Sequence, residues 1–201
     1  MNWSAEAEEI RRRRELALAH GGNAAVTRQH EKGRLTIRER IDLLLDEGSF
    51  EEVGPAAGSG VRDEDGQLVG FDPANFILGF GKINSQRVVV GGEDFTVRGG
   101  SPSPAGLRKS VYTEELALQY RVPLVRLHEG AGGSVGGTSG KGENLPGPVF
   151  ATPRFKSVAE CMATLPVATA ALGAVAGLPA ARLVASHFSV MSKATAQIMT
   201  A

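Results

Sequence analysis

The placement of its glycines constrains this chain most. The sequence holds 26 glycines in 201 residues, about twice the roughly 7% share of ordinary proteins. They form no low-complexity tract. They gather at Gly91-Gly92, Gly99-Gly100, Gly130 to Gly142 and Gly173/Gly177, each group beside an apolar run. A residue without a Cβ belongs where the chain turns tightly, or where backbone must come close to a ligand or to other backbone. The pattern predicts strands that deliver glycine-rich loops to one end of a sheet.

The runs between the glycines supply the strands and helices. Phe76 to Ile83 and Arg87 to Val90 are β-rich and joined by Asn84-Ser85, a predicted hairpin. Val88, Val89 and Val90 are apolar without alternation, as in a strand covered on both faces. Ser103-Pro104 opens a helix to about Tyr120. Val122 to Leu127 is the next strand, and Thr152-Pro153 opens a helix with Phe155, Val158, Ala159 and Met162 on one face. Val167 to Leu172 is a strand, followed by Gly177-Leu178-Pro179 and a short helix. His187 to Met191 and Ala196 to Met199 read as further strands. This alternation predicts an α/β domain with a parallel core. Upstream, Ser4 is expected to cap a helix to about His20, its acids early and Arg11 to Arg14 late, in keeping with the helix dipole. The four arginines read as a solvated or subunit-contacting face rather than a phosphate site. Thr36-Ile37-Arg38-Glu39 is a capping box opening a short helix, with Gly48 as its stop. Residues 54–72 are polar and read as a loop.

Composition excludes several classes of function. Lys plus Arg equals Asp plus Glu, 22 each, so no net charge draws the chain to nucleic acid or an anionic membrane. The single Cys161 forms no intrachain disulfide, no Cys/His spacing suggests a metal site, and it reads as inert core. The start does not resemble a signal peptide. Leu165 to Gly177 is too short to span a bilayer. A cytoplasmic protein is the expectation.

In open α/β folds, sites form beyond the carboxyl ends of strands. Three segments qualify: Gly91 to Ser101, His128 to Gly140, and Gly173 to Leu178. The N–H groups of Gly177 and Leu178 stand before a helix, where backbone donors can stabilise a developing negative charge; a plain turn explains the same residues. Neither a dinucleotide fingerprint, a P-loop nor a Gly-x-Ser-x-Gly elbow is present.

The run HEKGRLTIRERIDLLLDEGSFEE from His30 to Glu52 resembles the N-terminal signature of biotin-dependent acyl-CoA carboxyltransferases, the β subunits of acyl-CoA carboxylases. Gly79 to Asn84, Glu93-Asp94-Phe95-Thr96-Val97, Gly99-Gly100-Ser101 and Arg121 to Val125 continue the resemblance, which covers about residues 28 to 201. It implies a crotonase-like fold, a ββα superhelix of which this chain would be an incomplete single copy. Residues 1–27 would be an N-terminal helix and 28–201 an acyl-CoA-binding carboxyltransferase domain, without the second copy that binds carboxybiotin. The implied reaction transfers a carboxyl group from biotin, carried on a partner protein, to the α-carbon of an acyl-CoA. The implied partners are a biotin carboxylase or carboxyl carrier subunit and further copies of the chain, up to a hexamer.

Carried over by position, the acyl-CoA oxyanion donors fall on Gly177 and Leu178, where the family usually has Gly-Gly. Gly99, Gly100 and the loop Glu129-Gly130-Ala131-Gly132-Gly133 would line the CoA channel. That loop departs from the family's Asp-Ser-Gly-Gly-Ala. His128 and Glu129 are candidate bases, Arg98 and Lys141 candidate phosphate contacts, and Asp94 and Thr96 are expected to order their loop. A biotin-independent crotonase-like enzyme, such as a decarboxylase, and a non-catalytic CoA-binding or assembly subunit stand as alternatives.

Overall fold

The computed structural model describes residues 3–132 and 155–199. Three helices come first: α1 (Ser4–Leu18), α2 (Asn23–Glu31) and α3 (Ile37–Leu44). β1 (Glu51–Glu52) then starts a sheet, while β2 (Gly58–Arg62) and β3 (Leu68–Pro73) form a separate hairpin. β4 (Phe76–Ile83) and β5 (Gln86–Glu93) lead through a 3-10 turn (Arg98–Gly100) to α4 (Pro104–Tyr120). β6 (Leu124–Gly130), α5 (Lys156–Thr164), β7 (Val167–Ala176), α6 (Leu178–Val184), β8 (Phe188–Met191) and β9 (Gln197–Met199) follow.

The main sheet has the order β1-β4-β5-β6-β7-β8, with β9 also on β7. β1, β4 and β5 pair antiparallel; every pairing from β5 onward is parallel. The parallel core matches the expectation, and so does the hairpin: Asn84 and Ser85 both take positive φ, as a two-residue turn requires. β4, β5 and α4 make a ββα unit. Period-two alternation then divides the core. Phe76, Leu78, Phe80, Val89 and Leu124 pack against Leu116, Ala117 and Cys161 of α4 and α5. Ile77, Val88, Val90 and Leu127 pack on the other face, against Ile37 and Ile41 of α3. α3 begins as read, with Thr36 accepting from the Glu39 N–H and Glu39 accepting from the Thr36 N–H.

Four expectations are corrected. Residues 54–72 contain the β2–β3 hairpin, turned by Asp63, whose carboxylate accepts from the Asp65 and Gln67 N–H groups. β2 is exposed throughout, so it carries no apolar alternation to read. The N-terminal region is two helices, with Ser4 inside α1 rather than capping it; the break falls at Gly22, and residue 27 lies within α2. β6 and β7 run further than expected, placing Glu129 and Gly130 in one strand and Gly173 in the other. On α5 the buried face is Ser157, Val158 and Cys161, while Phe155 and Ala159 are exposed. Ser157 donates to the buried Glu114 carboxylate, which turns that face inward. Thr152-Pro153 lies outside the described residues.

Candidate functional site

Three of the sequence's glycine segments meet beyond the carboxyl ends of β5, β6 and β7. The Ala131 N–H donates to the Gly99 carbonyl at 2.9 Å, joining the turn after β5 to the end of β6. A Cβ on Gly100 would stand 2.6 Å from the Glu129 carbonyl oxygen, a distance that real Cβ atoms do not reach. A Cβ on Gly132 would stand 3.1 Å from the Ala176 carbonyl oxygen, at the end of β7. Gly177 caps α6 with φ 61° and ψ −127°, a conformation open to glycine and hardly to any other residue. Gly99, Gly100, Gly130, Ala131, Gly132, Gly177 and Leu178 therefore share one region. Gly133 and Lys141 lie outside the described residues.

This region borders a small pocket of about 20 Å3, whose wall includes Phe76, Glu93, Gly100, Leu107, Leu178 and Pro179. The pocket is apolar where Phe76, Leu107 and Leu178 face it. Beside Leu178, α6 continues with Pro179, which has no N–H and so contributes no backbone donor to the helix start.

His128 and Glu129 do not open onto this pocket. Both are fully buried, and alternation along β6 sends them to opposite faces. Glu129 accepts from Gln29 Nε2 at 2.7 Å and Arg34 Nη1 at 3.0 Å, and from Arg40 Nη2. Its carboxylate thus faces α2 and α3, and only its backbone belongs to the site region. His128 Nδ1 lies 3.1 Å from Glu93 Oε2. Arg98 is exposed and pairs with Asp72. Asp94 orders its loop as expected, accepting from Thr96 N at 3.0 Å and Thr96 Oγ1 at 2.6 Å; its other oxygen meets His20 Nδ1 at 2.7 Å. Cys161 is buried, and burial, with Glu114 nearby, pushes its thiol up to about 12, which makes it inert.

Sequence reasoning missed the buried charges beneath the pocket. Glu114 of α4 accepts from Arg126 of β6, from Arg182 Nε of α6 at 2.8 Å and from Ser157. Glu93 is buried and held below the usual carboxylate range: burial works to raise it, but the charge and hydrogen bond of His128, with the charge of Arg126, outweigh burial. The available signal was Arg126 and His128 alternating with Val125 and Leu127, polar side chains on a strand otherwise covered on both faces. Among the described residues, no helix is long and apolar enough to cross a membrane, and no cluster of three or more His, Cys, Asp or Glu is placed to hold a metal.

The chain is similar to known proteins in sequence and in fold. The chain is 38% identical over 131 residues to the propionyl-CoA carboxylase beta chain of Cereibacter sphaeroides, covering 64% of this chain and 25% of that one. It is 35% identical over 133 residues to the human mitochondrial propionyl-CoA carboxylase beta chain, covering 64% and 24%. The chain thus spans about a quarter of the length of the curated relatives it matches. A transcarboxylase 12S structure with methylmalonyl-coenzyme A and methylmalonic acid bound superposes with a TM-score of 0.74 at 27% identity, covering 100% of this chain and 38% of that one. The geranyl-CoA carboxylase beta subunit of P. aeruginosa gives 0.68 at 25% identity, covering 94% and 37%. The architecture is the crotonase-like fold of these carboxyltransferases. With residues 28–201 matching the family described as the carboxyl transferase domain, the chain belongs to that family.

Proposed function

We propose that this chain forms the acyl-CoA-binding part of a biotin-dependent carboxyltransferase, with residues 28–201 as its working domain. The observation that carries the reading is the meeting of Gly99-Gly100, Gly130 to Gly132 and Gly177-Leu178 beyond the carboxyl ends of β5, β6 and β7, beside a pocket that Gly100 and Leu178 line. Gly100, Gly130 and Gly132 let these backbone segments approach one another closely, since a Cβ on each would crowd neighbouring atoms, and the thioester would lie beside them. Gly177 and Leu178 are assigned the oxyanion donors. The carboxylation of an acyl-CoA places negative charge on the thioester carbonyl oxygen, and fixed N–H dipoles stabilise that charge without reorganising. One such donor is worth about 3 kcal/mol in related acyl-transfer sites.

Carboxybiotin, delivered on a carrier partner, supplies the carboxyl group when bound. The glycine segments offer one helix start, α6, to one developing oxyanion, so the biotin ring is assigned to no residue of this chain. Propionyl-, acetyl- and methylcrotonyl-type thioesters are the candidate substrates, and Leu178, in the pocket wall where the family usually has glycine, narrows the room for the acyl group. The same reading places the chain in the cytoplasm, in an oligomer with a biotin carboxylase or carrier subunit.

Calorimetric titration with acetyl-, propionyl- and longer acyl-CoAs tests the reading, with Gly177→Pro as control. Binding that depends on acyl length and is lost in Gly177→Pro supports it. A folded chain with no affinity for any acyl-CoA rejects it.

A further inference from the structure

The parallel ladder between β5 and β6 runs from Val89 and Leu124 to Gly92 and Leu127, and ends there. On the other side of β6, the register with β7 shifts between His128 and Gly130. Regular pairing therefore lapses on both flanks of β6 just where the site segments begin. Glu93 is the next residue after the last β5–β6 pair. Its carboxylate lies 3.3 and 3.1 Å from His128 Nδ1 and accepts a longer bond, 3.4 Å, from the Glu129 N–H. An ionised carboxylate only accepts, so Nδ1 carries the proton. His128 Nε2 is buried with no hydrogen-bond partner among the described residues, so among them Glu93 makes the ring's only hydrogen bonds.

The stem of Glu93 is wedged among the site segments. A Cβ on Gly100 would stand 3.3 Å from Glu93 Cβ, and a Cβ on Gly130 would stand 3.2 Å from Glu93 Cγ and 3.1 Å from Pro179 Cγ. Glu93, Gly100, Leu178 and Pro179 also share the wall of the same pocket. The side chain thus lies against the turn after β5 and the end of β6, and shares a pocket wall with the start of α6. Its carboxylate is bonded to the strand whose pairing has just lapsed.

We infer that Glu93, clasped by His128, is a positioning residue: it sets the separation of Gly100, Gly130 and the start of α6, and so the width of the acyl-CoA cleft. The inference rests on the acyl-CoA reading above for its ligand, though not for its geometry.

The test compares Glu93→Ala and Glu93→Gln in the full chain, with Ile41→Val and Leu165→Ala as core controls that bracket the loss in Tm. Loss of a hydrogen bond to a charged group predicts that Glu93→Ala weakens propionyl-CoA binding by about tenfold or more. Glu93→Gln keeps the shape and an acceptor for His128 Nδ1, so it restores most of the affinity. The core controls lose Tm and keep the wild-type Kd. Wild-type affinity in folded Glu93→Ala, or equal weakening in a control of equal Tm, overturns the inference. If the wild type binds no acyl-CoA, the functional reading fails instead. Amide exchange then decides the clasp: faster exchange at Ala131 in Glu93→Ala but not in Glu93→Gln supports it, and unchanged exchange overturns it.

Discussion

Glu129 and Glu114 are both fully buried, and two arginines grip each of them, on opposite faces of the sheet. Glu129 lies on the α3 face, and its arginines, Arg34 and Arg40, come from the chain just before and within α3. Glu114 lies on the α4 face, and its arginines come from β6 and α6. The Arg34 side chain is 19% exposed, whereas the Arg126 and Arg182 side chains are 2% exposed. The difference separates two uses of one motif. The first clamps a peripheral helical segment onto a finished sheet. The second joins charges from α4, β6 and α6 in the interior, where their side chains are at most 2% exposed. Burying a charge is costly unless it is paired and hydrogen-bonded, so the interior group tolerates less change.

The sharpest way to break this comparison is to delete both carboxylates in turn. Glu114→Ala leaves Arg126 and Arg182 buried without their shared acceptor, and a loss of about 3–5 kcal/mol is expected in urea denaturation. Glu129→Ala is expected to lose less, about 2 kcal/mol, because Arg34 can turn toward solvent. Its effect should also be local, with faster proteolysis in residues 23–36 while the sheet keeps its amide protection. Equal losses, or the reverse order, would show that burial of the arginines does not separate the two clusters.

Thr36→Ala probes the peripheral clamp more gently. It removes the side-chain acceptor of the Glu39 N–H at the start of α3, and about 1 kcal/mol is expected from chemical denaturation. An effect additive with Glu129→Ala would mean that cap and clamp act independently; coupling between them would mean that α3 docks as one unit.

A further test is a pH window on the α4 face. Lys109 donates to the Gly54 carbonyl at 3.1 Å, and burial pushes its ammonium down to about 8; Glu52 works against that shift and Arg38 adds to it. Because the folded pKa lies below that of an unfolded lysine, about 10.4, the folded state disfavours the charged form. The penalty is present in full below about pH 8 and fades as pH rises toward the unfolded value. Wild type should therefore gain stability relative to Lys109→Met between about pH 8 and pH 10. A difference that stays flat across that window would show that burial of Lys109 carries no such penalty.

Much of the fold was legible in the residues. Val88 to Val90, the Asn84-Ser85 turn, the Thr36 capping box and the Ser103-Pro104 helix start all became the elements that they predict. Each is a local signal, carried by steric limits or by hydrogen bonds within a few residues. The β2–β3 hairpin was not legible, because a strand exposed on all sides has no apolar period. The ends of β6 and β7 were misplaced because glycine reads as a loop, although Gly130 and Gly173 lie in strands. In a strand, glycine marks close approach: a Cβ on Gly173 would stand 2.1 Å from Glu129 Oε1.

The sequence by itself determined the alternation of strands and helices, the parallel core and the positions of the strand-end glycines, since these follow from periodicity and from the absence of a Cβ. Only the tertiary structure decided that Glu129 turns toward Arg34 and Arg40 while Glu93 takes His128 beside the pocket. Partners such as Glu93 and His128 are 35 residues apart, and no local preference specifies which buried charge meets which. That choice is made when the strands pair and alternate residues are sent to opposite faces.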